Sequence, residues 1–176
     1  NISQDRLEDC INSDLANNYG NLCQRVTAFA IKNCDGKIPE KIKFEEDDLN
    51  ILNKFRDNLE NIRSKIDQQN LNFYIDYIVN SLFEANKYFN DQEPWKKKDD
   101  IIRLNTIVFT ALEIIRKISF LLYPIIPGSV LKALKIFNLG ENDIKLEDIS
   151  KNEFLIKGNS INKIDILLKT IEKDND

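Results

Sequence analysis

The sequence contains neither histidine nor methionine. Histidine is the side chain that most often serves as a general base near neutral pH and that most often binds metal ions. We therefore expect no catalytic residues and no metal site in this chain. Because the chain also begins at Asn1, we expect it to be a piece of a longer protein whose other parts carry any catalytic chemistry.

Glycine, proline and cysteine are scarce, with 5, 4 and 3 residues among 176. Few glycines and prolines favour long helices over a turn-rich β architecture. The cysteines form no Cys-x-x-Cys pair, and their odd number indicates neither a disulfide framework nor a zinc site. This usage is typical of the reducing cytoplasm.

The sequence shows no secretory pattern and no membrane span. The longest apolar run, residues 118–126, is interrupted by Ser119 and Pro124 and is far shorter than the ~20 residues that a spanning helix needs. The net charge of −4 excludes a protein that coats nucleic acid through many Lys and Arg contacts to phosphate. We expect no membrane and no DNA partner, although a small site that recognises bases is compatible with this charge.

What the chain does have is helical periodicity, since apolar residues recur at spacings of three and four in five stretches. They predict an all-α fold, an antiparallel bundle of about five helices, over residues 3–32, 45–69, 71–90, 101–122 and 127–139. Gly36 and Gly140 suit the left-handed conformation that ends a helix. We predict a helical domain at residues 1–140 and a C-terminal appendage or strap at residues 141–176, with a last helix over 161–172.

One flank of the first predicted helix is polar, with Asp14, Asn18, Asn21 and Arg25 at helical spacing. At about 100° per residue they fall beside the apolar stripe, so the amide of Asn21 and the guanidinium of Arg25 can converge on one planar ligand. The ordinary alternative is that Arg25 forms an ion pair with Asp14 or another acid.

The single tryptophan, Trp95, precedes Lys96, Lys97 and Lys98 at a predicted helix junction. An exposed indole beside positive charge can stack on an unpaired base while lysines contact the flanking phosphates. Two alternatives stay open. The indole could instead cap the core, and the lysines, followed by two aspartates, could form a solvated helix start.

Four stretches follow one another along the chain: NSDLANNYGNLCQRV at 12–26, NCDGKIP at 33–39, EANKY at 84–88 with EPW at 93–95, and LLYPIIP at 121–127. They resemble the successive blocks of the anticodon-binding domain of methionyl-tRNA synthetase, over about residues 4–139. The resemblance implies a helical domain that follows a class I catalytic domain and binds the CAU anticodon of methionine tRNAs. In that family an Asn-Leu-x-x-Arg pattern and the Trp of a Pro-Trp pair contact the first anticodon base, which implies this role for Asn21, Arg25 and Trp95.

The resemblance also implies the partners, which are the anticodon loop of tRNA and the parent protein's own catalytic domain. We expect further RNA contacts from Asn18, Gln24 and the three lysines 96–98. The family's ATP signatures, of the His-Ile-Gly-His and Lys-Met-Ser-Lys-Ser types, are absent from this chain. We therefore expect no cofactor here, and ATP with magnesium in the catalytic domain of a parent methionine-tRNA ligase. Two alternatives remain: the helical domain of another class I synthetase, or a helical protein-interaction module.

Overall fold

The computed structural model describes residues 2–67 and 70–164, and it describes their side chains except those of residues 2–11 and 66. Six α-helices form most of the regular structure in these ranges. They are α1 (Ile2–Asn33), α2 (Glu46–Asp57), α3 (Leu59–Asp67), α4 (Leu71–Gln92), α5 (Ile101–Leu122) and α6 (Pro127–Leu134). Within these ranges there is no β-strand, only one isolated bridge between Lys37 and Ser160. The all-α prediction is confirmed. None of the described helices combines the length and the apolar character that a membrane crossing requires.

Helix α5 forms the centre of the bundle, and every residue from Thr106 to Leu122 is buried. A helix covered on all sides needs apolar residues around most of its circumference, which this sequence supplies. α1, α2, α4 and α6 all pack against it.

Helices α1 and α4 both run antiparallel to α5, so they run in the same direction as each other. Four contacts fix these directions: Tyr19 with Ser119, Cys34 with Asn105, Tyr74 with the carbonyl of Leu121, and Gln92 with Arg103. The C-terminal ends of α1 and α4 therefore lie together, next to the start of α5.

The prediction of one helix over residues 45–69 is wrong, because the chain breaks at Asn58 into α2 and α3. The side-chain amide of Asn58 donates to the carbonyl of Lys54 at 2.7 Å. Such a local bond competes with the helical pattern of backbone bonds and favours termination. Apolar spacing could not reveal the break, because Phe55, Leu59 and Ile62 continue the stripe across it and are all buried.

The predicted end of the last bundle helix at Gly140 is also wrong. α6 ends at Leu134, a 3₁₀ turn follows over Lys135–Phe137, and Asn138 adopts the left-handed conformation with φ 59°. Asn tolerates this conformation better than most residues, and the side-chain carbonyl of Asn138 also accepts a hydrogen bond from the side-chain amide of Asn162 at 2.8 Å. The left-handed conformation predicted for Gly36 is confirmed, since this residue has φ +65°.

Residues 141–164, which we call the C-terminal segment, pack against α2 and α5 and contain two 3₁₀ turns, Glu141–Asp143 and Leu146–Ser150. The fully buried Arg116 of α5 donates to the carbonyls of Asp148 and Lys151, at 2.7 and 2.6 Å. Glu113, also fully buried, accepts from Arg116 at 2.7 Å and from the backbone N–H of Leu155 at 2.7 Å. This ion pair holds the segment on the bundle.

Residues 161–164 are not helical. The rest of the helix predicted over 161–172 lies outside the described residues, and the domain boundary at residue 140 stays a prediction.

Candidate functional site

Arg25 lies where the last third of α1 meets the end of α4. Its neighbours Leu22 and Val26 are buried in the core, so Arg25 emerges at the edge of the apolar stripe, half-buried. Its guanidinium carbon is 5.1 Å from the centroid of the Phe89 ring and 5.9 Å from that of Trp95. Its Nη2 donates to the side-chain carbonyl of Asn90. The guanidinium is thus fixed by two aromatic rings and one amide.

No ion pair engages Arg25 in the part of the chain that the structure describes. The alternative of a pair with Asp14 is wrong for a simple reason: eleven residues span about 16 Å along a helix. The partner of Arg25 is the neutral amide of Asn90, so its positive charge is not neutralised by a carboxylate.

Trp95 reaches this place because α4 ends abruptly. Glu93 adopts the left-handed conformation with φ 47°, and Pro94 then starts a 3₁₀ turn over Pro94–Lys96. The turn folds the indole back against Phe89, with ring centroids 6.1 Å apart and an interplanar angle of 64°. Phe89 is 1% exposed and Trp95 is 41% exposed. The indole therefore rests on the core at one edge and is open to solvent elsewhere.

Asn21 lies one turn before Arg25 on the same flank of α1 and is exposed. Its amide has no hydrogen-bond partner among the described residues. Asn18, a further turn back, is exposed as well. The structure brings together Arg25, Phe89, Asn90 and Trp95, with Asn21 beside them, and we call these five residues the Arg25–Trp95 site.

The three lysines after Trp95 have different surroundings. Lys96 forms an ion pair with Glu93 at 2.7 Å, and its hydrogen bond and charge hold the pKa of Glu93 below its usual value. Lys97 donates to the backbone carbonyl of Gln92 and so caps the end of α4. Lys98 is exposed. The alternative that these lysines form the start of a helix is wrong, because α5 begins only at Ile101.

Gln24 is not brought to the Arg25–Trp95 site. It lies about 100° around α1 from Arg25 and lines a cavity of about 440 Å³ with Cys23, Ile136 and Lys163. Burial raises the pKa of the Cys23 thiol to about 12, so this thiol stays protonated at neutral pH. Among the described residues no group of three or more His, Cys, Asp or Glu side chains is placed to hold a metal ion.

A buried polar network supports the turn that carries Trp95. Arg103 of α5 donates to both carboxylate oxygens of Asp48, at 2.7 and 3.0 Å, and to the side chain of Gln92 at 2.7 Å. The Tyr88 hydroxyl donates to Asp48 at 2.5 Å. One guanidinium thus joins the start of α2, the end of α4 and the start of α5.

Burial by itself would raise the pKa of Asp48. The hydrogen bonds from Arg103, Tyr88 and the backbone N–H of Glu45, with the charge of Arg103, outweigh it, so the pKa of Asp48 lies below its usual value. Asp48 is therefore ionised at neutral pH although it is fully buried.

Phe89, Asn90 and the Arg103 network were not anticipated from the sequence. Phe89 belongs to the apolar stripe of α4, so spacing assigns it to the core without indicating a second role. Asn90 lies three residues before Glu93 of the Glu93-Pro94-Trp95 motif, and that proximity is the local signal for it. The Arg103–Asp48 pair links residues 55 apart, and no local pattern encodes such a contact.

A family model described as the anticodon binding domain of methionyl tRNA ligase matches residues 38–176. The methionine–tRNA ligase of Brucella suis is 35% identical over 148 residues, which cover 84% of this chain and 29% of that protein. The methionine–tRNA ligase of Rickettsia felis is 33% identical over an alignment that covers 99% of this chain, α1 included, and 35% of that protein.

The fold is similar to that of Mycobacterium tuberculosis methionyl-tRNA synthetase in complex with methionyl-adenylate. The TM-score is 0.77 at 31% identity, and the match covers 86% of this chain and 30% of that one. The chain thus spans about a third of the length of these proteins.

Proposed function

The chain belongs to the family of methionyl-tRNA ligase anticodon-binding domains, and from this membership we propose that it recognises the CAU anticodon of methionine tRNAs through Asn21, Arg25 and Trp95. The observation that carries the proposal is the contact of the Arg25 guanidinium with Trp95, at 5.9 Å, on a surface where the indole is 41% exposed. A base that leaves the loop stack can lie on this indole and meet the polar groups of α1.

Cytosine has acceptors at O2 and N3 and a donor at N4. Arg25 uses one N–H on Asn90 and keeps others for the acceptor side of the base, since a guanidinium only donates. The carbonyl of Asn21 can accept from the amino group. Uracil has a donor at N3 and an acceptor at O4, so it would leave buried polar groups unpaired at a cost of about 1–3 kcal/mol each. In this scheme stacking supplies affinity and the hydrogen bonds supply discrimination.

The wider activity belongs to a longer parent protein. We propose that its catalytic domain attaches methionine to tRNA with ATP and magnesium in the cytoplasm, while the present domain holds the anticodon. The match to methionine–tRNA ligases, one of them solved with methionyl-adenylate, supports this division. The contribution of this domain is recognition and positioning.

The test compares two anticodon hairpins that differ only in the first anticodon base, CAU and UAU. We expect the 176-residue chain to bind CAU at least about tenfold more tightly, the equivalent of ~1.4 kcal/mol. Trp95→Ala should weaken binding of both hairpins, because stacking does not depend on the base. Arg25→Ala should remove most of the discrimination. Arg25→Lys should keep part of the affinity but not the discrimination, because lysine lacks the planar donor set.

Arg56→Ala is the matched control. Arg56 is an exposed arginine of α2 that pairs only loosely with Asp57, at 3.4 Å, so its removal changes the net charge as Arg25→Ala does. It should leave discrimination intact. Equal binding of CAU and UAU by the unaltered chain, or tighter binding of UAU, would refute the proposal.

A further inference from the structure

Phe83, on α4, is an aromatic residue that the bundle leaves in solvent. It is 65% exposed, and Val79, one turn earlier on the same face, is 47% exposed. Single exposed apolar side chains are common and need no explanation by themselves. Phe83 is of interest because of its position relative to the Arg25–Trp95 site.

Helical register links Phe83 to that site. α1 and α4 run in the same direction and are joined by the bond between Arg25 and Asn90. Seven residues are nearly two helical turns, so a step of seven back along each helix stays on the same face. On α1 that step leads from Arg25 to Asn18, and on α4 it leads from Asn90 to Phe83. Both Asn18 and Phe83 are exposed.

The exposed seam between α1 and α4 therefore continues from Arg25 and Asn90 to Asn18 and Phe83, about 10 Å further along the helices. A hairpin loop presents several unpaired nucleotides in succession, and aromatic rings bind such bases by stacking. A ring on the same seam, roughly two turns from the first stacking position, is placed to meet another base of the same loop.

We propose that Phe83 is a second stacking platform for an unpaired base of the bound anticodon loop, with the Asn18 amide beside it. This inference rests on the proposed function and extends its site along α4. Stacking does not select between bases of similar shape, so Phe83 contributes to affinity and not to the distinction between CAU and UAU.

The experiment measures the dissociation constants of CAU and UAU hairpins with the 176-residue chain. Phe83→Ala is expected to weaken both by about tenfold, so that their ratio is unchanged. Phe83→Tyr keeps the ring and should retain the affinity, whereas Phe83→Leu keeps apolar character without the ring and should resemble Phe83→Ala. Ile156→Ala is the control, because Ile156 is 67% exposed and lies in the C-terminal segment; it should bind as the unaltered chain does.

A second arm uses CAU hairpins in which one loop nucleotide at a time lacks its base. Phe83→Ala should have little further effect on the one hairpin that lacks the stacked base, and its full effect on the others. A loss caused by misfolding would be the same for every hairpin and would overturn the inference.

Three further results would overturn it. If Phe83→Ala binds CAU as tightly as the unaltered chain while Trp95→Ala is weakened, the proposed function stands and the second platform does not. If Phe83→Ala abolishes self-association in sedimentation runs without changing hairpin binding, the ring contacts protein and not RNA. If the unaltered chain binds neither hairpin, the proposed function fails and this inference fails with it.

Discussion

Replacing Arg103 by methionine removes a guanidinium that joins α2, α4 and α5 next to the turn of Trp95. Arg103 is 7% exposed and Asp48 is fully buried, and their bidentate contact has distances of 2.7 and 3.0 Å. In Arg103→Met the carboxylate of Asp48 stays buried without its counter-charge, and Gln92 loses its donor. Breaking a buried pair from one side costs about 3–5 kcal/mol. We expect a loss of unfolding free energy of that size at pH 7.

Two comparison variants separate the charge from the packing. Asp48→Asn combined with Arg103→Met removes both charges, so the double variant should be more stable than Arg103→Met alone. Arg56→Met removes an exposed arginine and should change the unfolding free energy by less than ~0.5 kcal/mol.

The pH dependence gives an independent check. In the unaltered chain the pKa of Asp48 lies below its usual value, so its stabilising effect is present above about pH 4 and is lost as the pH falls through the folded-state pKa. Without the guanidinium, burial raises the pKa of Asp48, and protonation then relieves the variant. The stability difference between the two proteins should therefore be largest at neutral pH and should shrink as the pH falls toward 4.

Urea denaturation measures these free energies, with Trp95, the only tryptophan, as the fluorescence reporter beside the network. The reasoning is refuted if Arg103→Met and the unaltered chain lose stability in parallel from pH 7 to 4. It is also refuted if the double variant is as unstable as Arg103→Met.

Two more predictions concern the side of α5 that faces the C-terminal segment. Burial and, next in size, the charge of Arg116 lower the pKa of Lys117 from 10.5 to about 7. Between pH 7 and 10 the unfolded chain therefore binds more protons than the folded chain, and the contribution of Lys117 to stability rises with pH. Lys117→Met should therefore be more favourable, relative to the unaltered chain, at pH 6 than at pH 9 in urea denaturation; an equal difference at both pH values would contradict this. Arg116→Met leaves Glu113 buried without a counter-charge and two carbonyls of the segment without a donor, at a cost of about 3–5 kcal/mol. Limited proteolysis should then cut within residues 141–164 sooner than in the unaltered chain, and unchanged cleavage would disprove the role of Arg116.

Most of the helices could be predicted from the sequence, because helical periodicity depends on residues three and four apart. The break at Asn58 could not be predicted, because the apolar stripe continues across it. The break itself depends on a hydrogen bond from the Asn58 side chain to the Lys54 carbonyl. The end of α6 could not be predicted for a related reason: Asn138 accepts a hydrogen bond from Asn162, which follows 24 residues later.

For the candidate site, the sequence by itself determined the spacing of Asn21 and Arg25, because a helix fixes the relation of residues four apart. It also placed Trp95 at a junction, because Pro94 cannot continue a helix. Only the tertiary structure decided that Arg25 and Trp95, 70 residues apart, are in contact. That contact depends on the packing of α1 beside α4, on the left-handed turn at Glu93 and on Phe89 between them. The packing of separate helices depends on the whole set of buried side chains, and no local pattern contains it.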